Sequence, residues 1–244
     1  MISSLKMRLH QGLKLIKVLS NPDYRRGLLN GVAAAIEHEK ILRTIPFSTL
    51  IDIGANKGQF SLAAKHIRPD TNIIAFEPLH GAAEKYQGVF ASEQHVRIFE
   101  TAISPQQGDT EIYISKRDDS SSLLPITQNQ EAHFPGTGLD RIDKIKTGKL
   151  QDYISPDDLS APVLIKIDVQ GFELDVLKGC SELLQHIDNI IVECSFIELY
   201  QGQALADQVI QHLAETGFKL AGIYNLSYSS EGLPIQADFI FQKQ

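Results

Sequence analysis

The fold of this chain is decided by one stretch, Thr49-Leu50-Ile51-Asp52-Ile53-Gly54-Ala55-Asn56-Lys57-Gly58-Gln59-Phe60. Its first residues form a short apolar run of the kind buried in a parallel sheet, and Gly54 and Gly58 predict a tight turn that approaches a ligand. Phe60 then begins an apolar repeat at helical spacing, so we predict a strand, a glycine turn and a helix. A helix that begins in such a turn presents free N–H groups and a positive dipole end to the ligand.

The spacing of the turn glycines argues against a dinucleotide. G-x-x-x-G stands where a pyrophosphate-binding site usually has G-x-G-x-x-G, which disfavours NAD and FAD. Asp52, directly before the turn, fits poorly beside a diphosphate and well beside a cationic amino group, such as that of S-adenosylmethionine. A second apolar run ends at Glu77, whose carboxylate can accept hydrogen bonds from both ribose hydroxyls. The alternative is an ordinary α/β unit in which Asp52 and Glu77 only cap loops.

The composition is that of an ordinary globular protein, with 43% hydrophobic and 22% charged residues among 244. The formal charge of -7 argues against nucleic acid as a partner, because proteins that bind it need a basic face. We therefore expect a small or neutral partner. The sequence has no signal-peptide pattern and no apolar run of membrane-spanning length, so the expected location is cytoplasmic.

The cysteines and histidines carry no metal signature. Cys180 and Cys194 fit no zinc spacing and lie in apolar surroundings, which predicts buried, reduced thiols. The eight histidines are scattered without a metal-binding motif, so we predict no histidine-based metal site.

Residues 1–45 are predicted to form a helical extension ahead of an α/β domain at 46–244. Residues 4–19 place leucines and an isoleucine on one helical face among basic residues, which predicts an amphipathic helix. Such a helix packs on its own domain or on a second subunit of a homodimer; the alternative is peripheral contact with an anionic membrane. A second helix is predicted from Asn21 to about Arg43, and Pro46 ends it.

The middle of the chain is predicted to supply one wall of the site and a lid. A third strand, 96–100, leads into Ala102 and Ile103, which we expect to face the adenine at the carboxyl ends of the strands. An edge strand is predicted at 110–114. Residues 115–148, which include His133, are the least regular segment, and we interpret them as an active-site lid; an ordinary surface loop is the alternative.

Acidic residues close the remaining strands. A buried strand ends at Asp168 and the next one ends at Glu193, so Asp52, Glu77 and Asp168 should share one edge of the sheet. The last two strands are joined without a helix, which predicts that the final strand runs antiparallel. We therefore predict an α/β fold whose sheet is mostly parallel, with helices on both faces.

Four blocks of this sequence resemble the FkbM family of methyltransferases. They are Ile51-Asp52-Ile53-Gly54-Ala55-Asn56-Lys57-Gly58, Phe76-Glu77-Pro78, Ile165-Lys166-Ile167-Asp168-Val169-Gln170-Gly171-Phe172-Glu173 with Leu177-Lys178-Gly179, and Val192-Glu193. The resemblance spans about residues 48–242, and the block from Lys166 to Glu173 is its most specific part. Residues 1–45 lie outside it.

The resemblance implies a Rossmann-like class I methyltransferase fold with a seven-stranded, mostly parallel sheet and an antiparallel last strand. It also implies S-adenosylmethionine as cofactor, and O-methylation of a sugar, a glycan or a secondary metabolite. We predict that the cofactor is bound by Asp52, Gly54, Ala55, Asn56, Gly58, Phe60, Glu77, Pro78, Ala102 and Ile103.

Methyl transfer to a hydroxyl calls for alignment, exclusion of water and a positioned base. Asp168 is the first candidate, with Glu193, Glu173 and His133 as alternatives, unless Asp168 only contacts the cofactor or caps a helix. Cleft carboxylates holding a divalent metal are a further alternative. Two other function classes stay open: a nicotinamide-dependent oxidoreductase and a non-catalytic carbohydrate-binding protein that retains the fold.

Overall fold

The structure, a computed structural model, describes residues 20–244, so the predicted helix at residues 4–19 lies outside the described residues. The strands are β1 Thr49–Ile53, β2 Asn72–Phe76, β3 Val96–Phe99, β4 Ala102–Ile103, β5 Gly108–Ser115, β6 Leu139–Gly148, β7 Val163–Ile167, β8 Asn189–Ser195, β9 Phe218–Tyr228 and β10 Pro234–Lys243. The α-helices are α1 Pro22–Leu29, α2 Glu39–Thr44, α3 Gln59–Ile67, α4 His80–Phe90, α5 Gln128–His133, α6 Glu173–Gly179 and α7 Ala206–Glu215. Short 3-10 turns lie at Ile36–His38, Asp118–Ser120, Leu150–Asp152, Pro156–Asp158 and Leu184–His186.

The main sheet has seven strands in the order β3-β2-β1-β7-β8-β10-β9. In this order, the first five strands, β3, β2, β1, β7 and β8, are each parallel to their neighbours. By contrast, β10 is antiparallel to both β8 and β9. The predicted mostly parallel sheet with an antiparallel last strand is therefore confirmed. The carboxyl ends of β2, β1 and β7 lie side by side, and the loops that follow them carry the site residues described below.

Both faces of the sheet are covered. One apolar cluster joins one sheet face to α6 and α7, and a second joins the other face to α2 and α3. Cys180 and Cys194 are buried free thiols, as predicted. None of the helices within residues 20–244 is long and apolar enough to cross a membrane.

The prediction of one helix from Asn21 to about Arg43 is wrong. The chain leaves the helical conformation after Leu29, and Gly31 adopts a positive φ of 73°, which a glycine tolerates but a helix interior does not. The chain turns again at Ile36–His38 before α2 begins. The break places Val32, only 1% exposed, in a cluster with residues of α1, α3 and α4.

Residues 115–148 are more regular than predicted, because their last ten residues form β6. This strand lies between β4 and β5 in a second, three-stranded sheet, and it pairs antiparallel with β5. The predicted edge strand at 110–114 is thus part of a separate sheet. Most of β6 is exposed on both faces, with Leu139 and Ile142 each 47% exposed, so its sequence lacks the apolar alternation of a half-buried strand.

Candidate active site

A cavity of about 280 Å³ lies at the carboxyl ends of β2, β1 and β7. Eight of the ten predicted cofactor-binding residues line it: Gly54, Ala55, Asn56, Phe60, Glu77, Pro78, Ala102 and Ile103. Asp168, the first candidate for the base, lines the same cavity. The structure therefore brings most of the predicted site residues together.

The two positions of the turn require glycine for different structural reasons. Gly54 has a φ of 75°, and a Cβ there would overlap the carbonyl oxygen of Asp168, so glycine lets the β1 turn approach the β7 turn. Gly58 has a φ of 93°, and a Cβ there would lie 2.9 Å from the Tyr86 ring. Gly58 does not line the cavity, and helix packing, rather than a ligand, requires a glycine at this position.

Asp52 lies beneath the glycine turn and does not line the cavity. Its side chain is fully buried, accepts a 2.6 Å hydrogen bond from the Ser61 hydroxyl and lies 3.6 Å from the ammonium group of Lys166. Burial raises the pKa of Asp52, and Lys166 opposes that rise. The cationic amino group beside Asp52 is therefore that of Lys166, whereas the sequence analysis expected a cofactor amino group.

Glu77 is held rigidly at the cavity wall. Its carboxylate accepts hydrogen bonds from the backbone N–H groups of Asn56, at 2.8 Å, and Leu79, at 2.9 Å. The residue is only 5% exposed, and burial raises its pKa to about 7, although the two hydrogen bonds act to lower it. Since each carboxylate oxygen can accept a further bond, Glu77 keeps the capacity to bind a diol.

Lys166 is a site residue that was not predicted from the sequence. It projects from β7, lies 3.3 Å from the Asp168 carboxylate and donates to the carbonyl oxygen of Gly54 at 3.1 Å. Burial alone disfavours its ammonium form, but the carboxylates of Asp168 and Asp52 outweigh burial and raise the pKa of Lys166. One buried cation therefore lies between two carboxylates, one beneath the glycine turn and one at the cavity.

Gln170 links the two candidate carboxylates. Its amide nitrogen donates to Asp168 at 2.8 Å and to Glu193 at 3.0 Å, and its amide oxygen lies 2.9 Å from the Tyr200 hydroxyl. Gln170 adopts a φ of 57°, a conformation that few residues other than glycine favour. The Gln-Gly pair in the block from Lys166 to Glu173 is a sequence signal from which this turn could have been predicted.

Glu193 does not line the cavity and lies behind Gln170. Burial and the nearby carboxylates of Asp168 and Asp238 raise the pKa of Glu193 well above its ordinary value. Asp168 has a side chain that is 35% exposed and reaches the cavity directly. Of this pair, Asp168 is the one placed to touch a ligand.

The other two candidate bases lie apart from the cavity. His133 ends α5, is exposed and does not line the cavity. Glu173 is buried, and its carboxylate accepts hydrogen bonds from the N–H groups of Gly171 and Val169, so it holds the turn before α6. Burial raises the pKa of Glu173 to about 7. Within residues 20–244, no group of three or more His, Cys, Asp or Glu side chains is arranged to hold a metal ion.

Residues 118–123, which we call the strap, cross one side of the cavity. Asp118 forms an ion pair with Lys57 at 2.7 Å, and the Ser122 hydroxyl donates to the carbonyl oxygen of Gln170 at 2.6 Å. The Tyr200 hydroxyl lies 3.1 Å from the carbonyl oxygen of Ser120. The strap is thus attached to the turn after β1, to the turn after β7 and to the loop after β8.

Comparison with known proteins gives a family match over most of the domain. The sequence model of a family described as the methyltransferase FkbM domain matches residues 52–220. The 2-O-methyltransferase NoeI of Sinorhizobium fredii is 29% identical over 189 residues, which cover 74% of this chain and 78% of that protein. The hexuronic acid methyltransferase AglP of Haloferax volcanii is 28% identical over 144 residues, covering 59% and 54%.

Solved structures also resemble this chain. A precorrin-6y C5,15-methyltransferase from Geobacter metallireducens GS-15 matches with a TM-score of 0.48 and 11% identity, covering 84% of this chain and 87% of that one.

Proposed function

This chain belongs to the FkbM family of methyltransferases, and we propose that it transfers the methyl group of S-adenosylmethionine to a hydroxyl oxygen of a sugar, a glycan or a secondary metabolite. The observation that carries the cofactor assignment is the cavity itself, which has a glycine turn at its centre, Glu77 on one side and Asp168 on the other. The acceptor class is supported by the relatives, one named for 2-O-methylation and one for hexuronic acid.

The residues at the cavity wall fit the parts of such a cofactor. Glu77 suits a ribose diol, and Ala102 and Ile103 offer an apolar surface for the adenine. The close approach that Gly54 permits leaves backbone beside the ligand, where a side chain would fill space. When bound, S-adenosylmethionine would supply an electrophilic methyl group on a positively charged sulfur, which leaves as a neutral thioether.

Asp168 is the proposed base. Its carboxylate accepts the proton of the acceptor hydroxyl, while Lys166 and Gln170 hold its two oxygens in position. The strap and the glycine turn exclude water from the same space, so alignment and proton transfer act together. Glu193 is the second candidate, because Gln170 connects it to Asp168.

Calorimetry tests the cofactor assignment. We expect S-adenosylhomocysteine to bind with a dissociation constant on the order of micromolar and NADH not to bind, because the turn lacks the diphosphate spacing. Binding of NADH alone would instead support the oxidoreductase alternative.

Transfer of labelled methyl groups from S-adenosylmethionine into fractionated glycans, lipids and small metabolites then identifies the acceptor. Incorporation into none of these fractions would favour the non-catalytic alternative.

A further inference from the structure

The turn Ile36–His38 and the preceding Ala35 close the cavity from a part of the chain that the family match at 52–220 does not reach. Ala35, Glu37 and His38 all line the cavity. The sequence alone indicates no function for this segment, because it lies outside the residues that carry the family resemblance.

The segment is fixed at both ends. The N–H of Ala35 donates to the carbonyl oxygen of Gln59 at 3.0 Å, which attaches the segment to the start of α3 and hence to the glycine turn. At its other end, Glu39 is only 4% exposed and accepts a 2.9 Å hydrogen bond from the buried hydroxyl of Tyr24. Ala35–His38 is therefore a defined wall of the cavity.

His38 shows which side of the cavity this wall occupies. Its Nδ1 lies 2.9 Å from the Tyr224 hydroxyl on β9, and its ring meets the edge of Phe60 at a centroid distance of 5.0 Å. The ammonium group of Lys166 lies 5.8 Å from the centroid of the same Phe60 ring. The wall therefore lies on the Lys166 and Asp168 side of the glycine turn, away from Glu77 at the end of β2.

The strand order then defines how a nucleoside cofactor lies. With its ribose at Glu77, on the β2 side, the rest of the ligand crosses β1 at Gly54 and points toward β7. In S-adenosylmethionine that remaining part is an amino acid, which carries an ammonium group and a carboxylate. An ammonium group favours a carboxylate partner, and a carboxylate favours an N–H donor.

We propose that the segment Ala35–His38 binds the amino-acid part of the cofactor, with Glu37 facing its ammonium group and His38 donating an N–H to its carboxylate. This proposal rests on the proposed use of S-adenosylmethionine. The Tyr224 hydroxyl donates to Nδ1 of His38 in this arrangement, which places the ring proton on Nε2.

Two ligands that differ only at the amino-acid end test the proposal. S-adenosylhomocysteine carries the amino-acid part, and 5′-methylthioadenosine lacks it while keeping the adenosine and the sulfur. Calorimetry on the full chain compares the wild type with Glu37→Gln, His38→Ala and a matched control, Glu215→Gln, whose exposed side chain lies on α7 away from the cavity.

We expect the wild type and the control to bind S-adenosylhomocysteine more tightly than 5′-methylthioadenosine. Glu37→Gln and His38→Ala should each weaken the binding of S-adenosylhomocysteine about fivefold, the loss expected for one exposed ion pair or one hydrogen bond, and should leave the binding of 5′-methylthioadenosine unchanged. Equal losses for both ligands would show that the segment acts through the adenosine or the fold, and would overturn the proposal. Unchanged affinities in both variants would also overturn it.

A wrong assignment of S-adenosylmethionine as cofactor would give a different result. If the wild type binds neither ligand, the assignment of S-adenosylmethionine itself is wrong and the inference falls with it. If the wild type binds both ligands equally, the cofactor site stands and only the amino-acid wall is refuted.

Discussion

Glu77 is a buried carboxyl group that lines the cavity. Burial raises its pKa to about 7. In the proposed complex the ribose hydroxyls donate to the ionised form, so a bound cofactor should lower that pKa. Because the pKa is then lower in the complex than in the free protein, the affinity for S-adenosylhomocysteine should rise with pH through about 7 and level off above it.

Calorimetry from about pH 5.5 to about pH 8.5 measures this profile across the titration of the group. Glu77→Gln, which cannot titrate, should give a flat profile, and Glu77→Ala should cost about 1.5 to 3 kcal/mol of binding. A wild-type affinity that does not change with pH would contradict the placement of Glu77 at the ribose.

Asp168→Asn tests the proposed base. The substitution keeps the shape of the side chain and an oxygen for the hydrogen bond from Gln170, but it removes the ion pair with Lys166 and the capacity to accept a proton. Turnover should fall by about 10²- to 10⁴-fold, the usual contribution of a general base, while S-adenosylhomocysteine affinity changes little. Labelled methyl transfer to the identified acceptor measures turnover, and calorimetry measures the affinity for S-adenosylhomocysteine.

Glu193→Gln serves as the comparison for Asp168→Asn. Its effect on turnover should be milder, because Glu193 lies behind Gln170 and off the cavity. Near-normal turnover of Asp168→Asn would transfer the role of the base to Glu193. Loss of cofactor affinity in proportion to activity would instead place Asp168 in cofactor binding alone.

At the scale of single residues, the sequence predicted the parts of the site that follow from a local pattern. Gly54 and Glu77 each end a recognisable strand, and both reach the cavity. Lys166 was not predicted, because a lysine inside an apolar strand gives no local signal of its partner. Only the parallel register of β1 and β7, which sets Asp52 opposite Lys166, brings the two charges together.

The strap is the element whose amide exchange should respond to a ligand in the cavity. We predict that amide exchange in residues 118–123 slows when S-adenosylhomocysteine binds, because the strap lines the cavity and is attached to two turns that also line it. Exchange in β6, the other end of the predicted lid, should not change, since β6 does not line the cavity.

Lys57→Ala is the matched variant for the strap, since it removes the ion pair with Asp118 and leaves the hydrogen bonds of Ser122 and Tyr200 in place. Hydrogen exchange followed by mass spectrometry should show faster exchange in the strap of this variant without ligand. Identical exchange of residues 118–123 with and without ligand would make the strap an ordinary surface loop.

Elements that are buried on both sides were the ones that the sequence predicted best. β1, β2 and β7 are almost entirely buried apolar runs, and their boundaries follow the sequence pattern closely. β6 was missed because its charged residues face solvent and its partner β5 lies more than twenty residues away along the chain. Pairing of that kind depends on tertiary contacts, which local propensity does not encode.

At the scale of the whole molecule, the order of the sheet follows from the connections. Helices between β1 and β2, between β2 and β3 and between β7 and β8 predict parallel neighbours, and the helix-free return from β9 to β10 predicts an antiparallel strand. The N-terminal extension could not be placed in the same way. Its path depends on Gly31 and on which surface of α3 it covers, and neither is specified by periodicity.

The predicted N-terminal extension, residues 1–45, contributes buried side chains to the domain that follows it. Tyr24, Val32, Leu42 and Ile45 are each at most 2% exposed and pack in the same clusters as residues of β1, β2 and α3. Burying each such side chain contributes roughly 1.5 to 3 kcal/mol, so their sum is comparable with a typical domain's whole stability of about 5 to 15 kcal/mol.

Deleting residues 1–45 should therefore abolish cooperative unfolding and remove S-adenosylhomocysteine binding, because the exposed sheet face loses its cover and the cavity loses Ala35–His38. Deleting residues 1–19 is the matched control, since it retains every one of those buried side chains. Thermal unfolding followed by circular dichroism compares the two. A cooperative transition of the shorter chain near the control's temperature would show that residues 46–244 fold alone, and would restore the boundary at residue 45 as a true domain boundary.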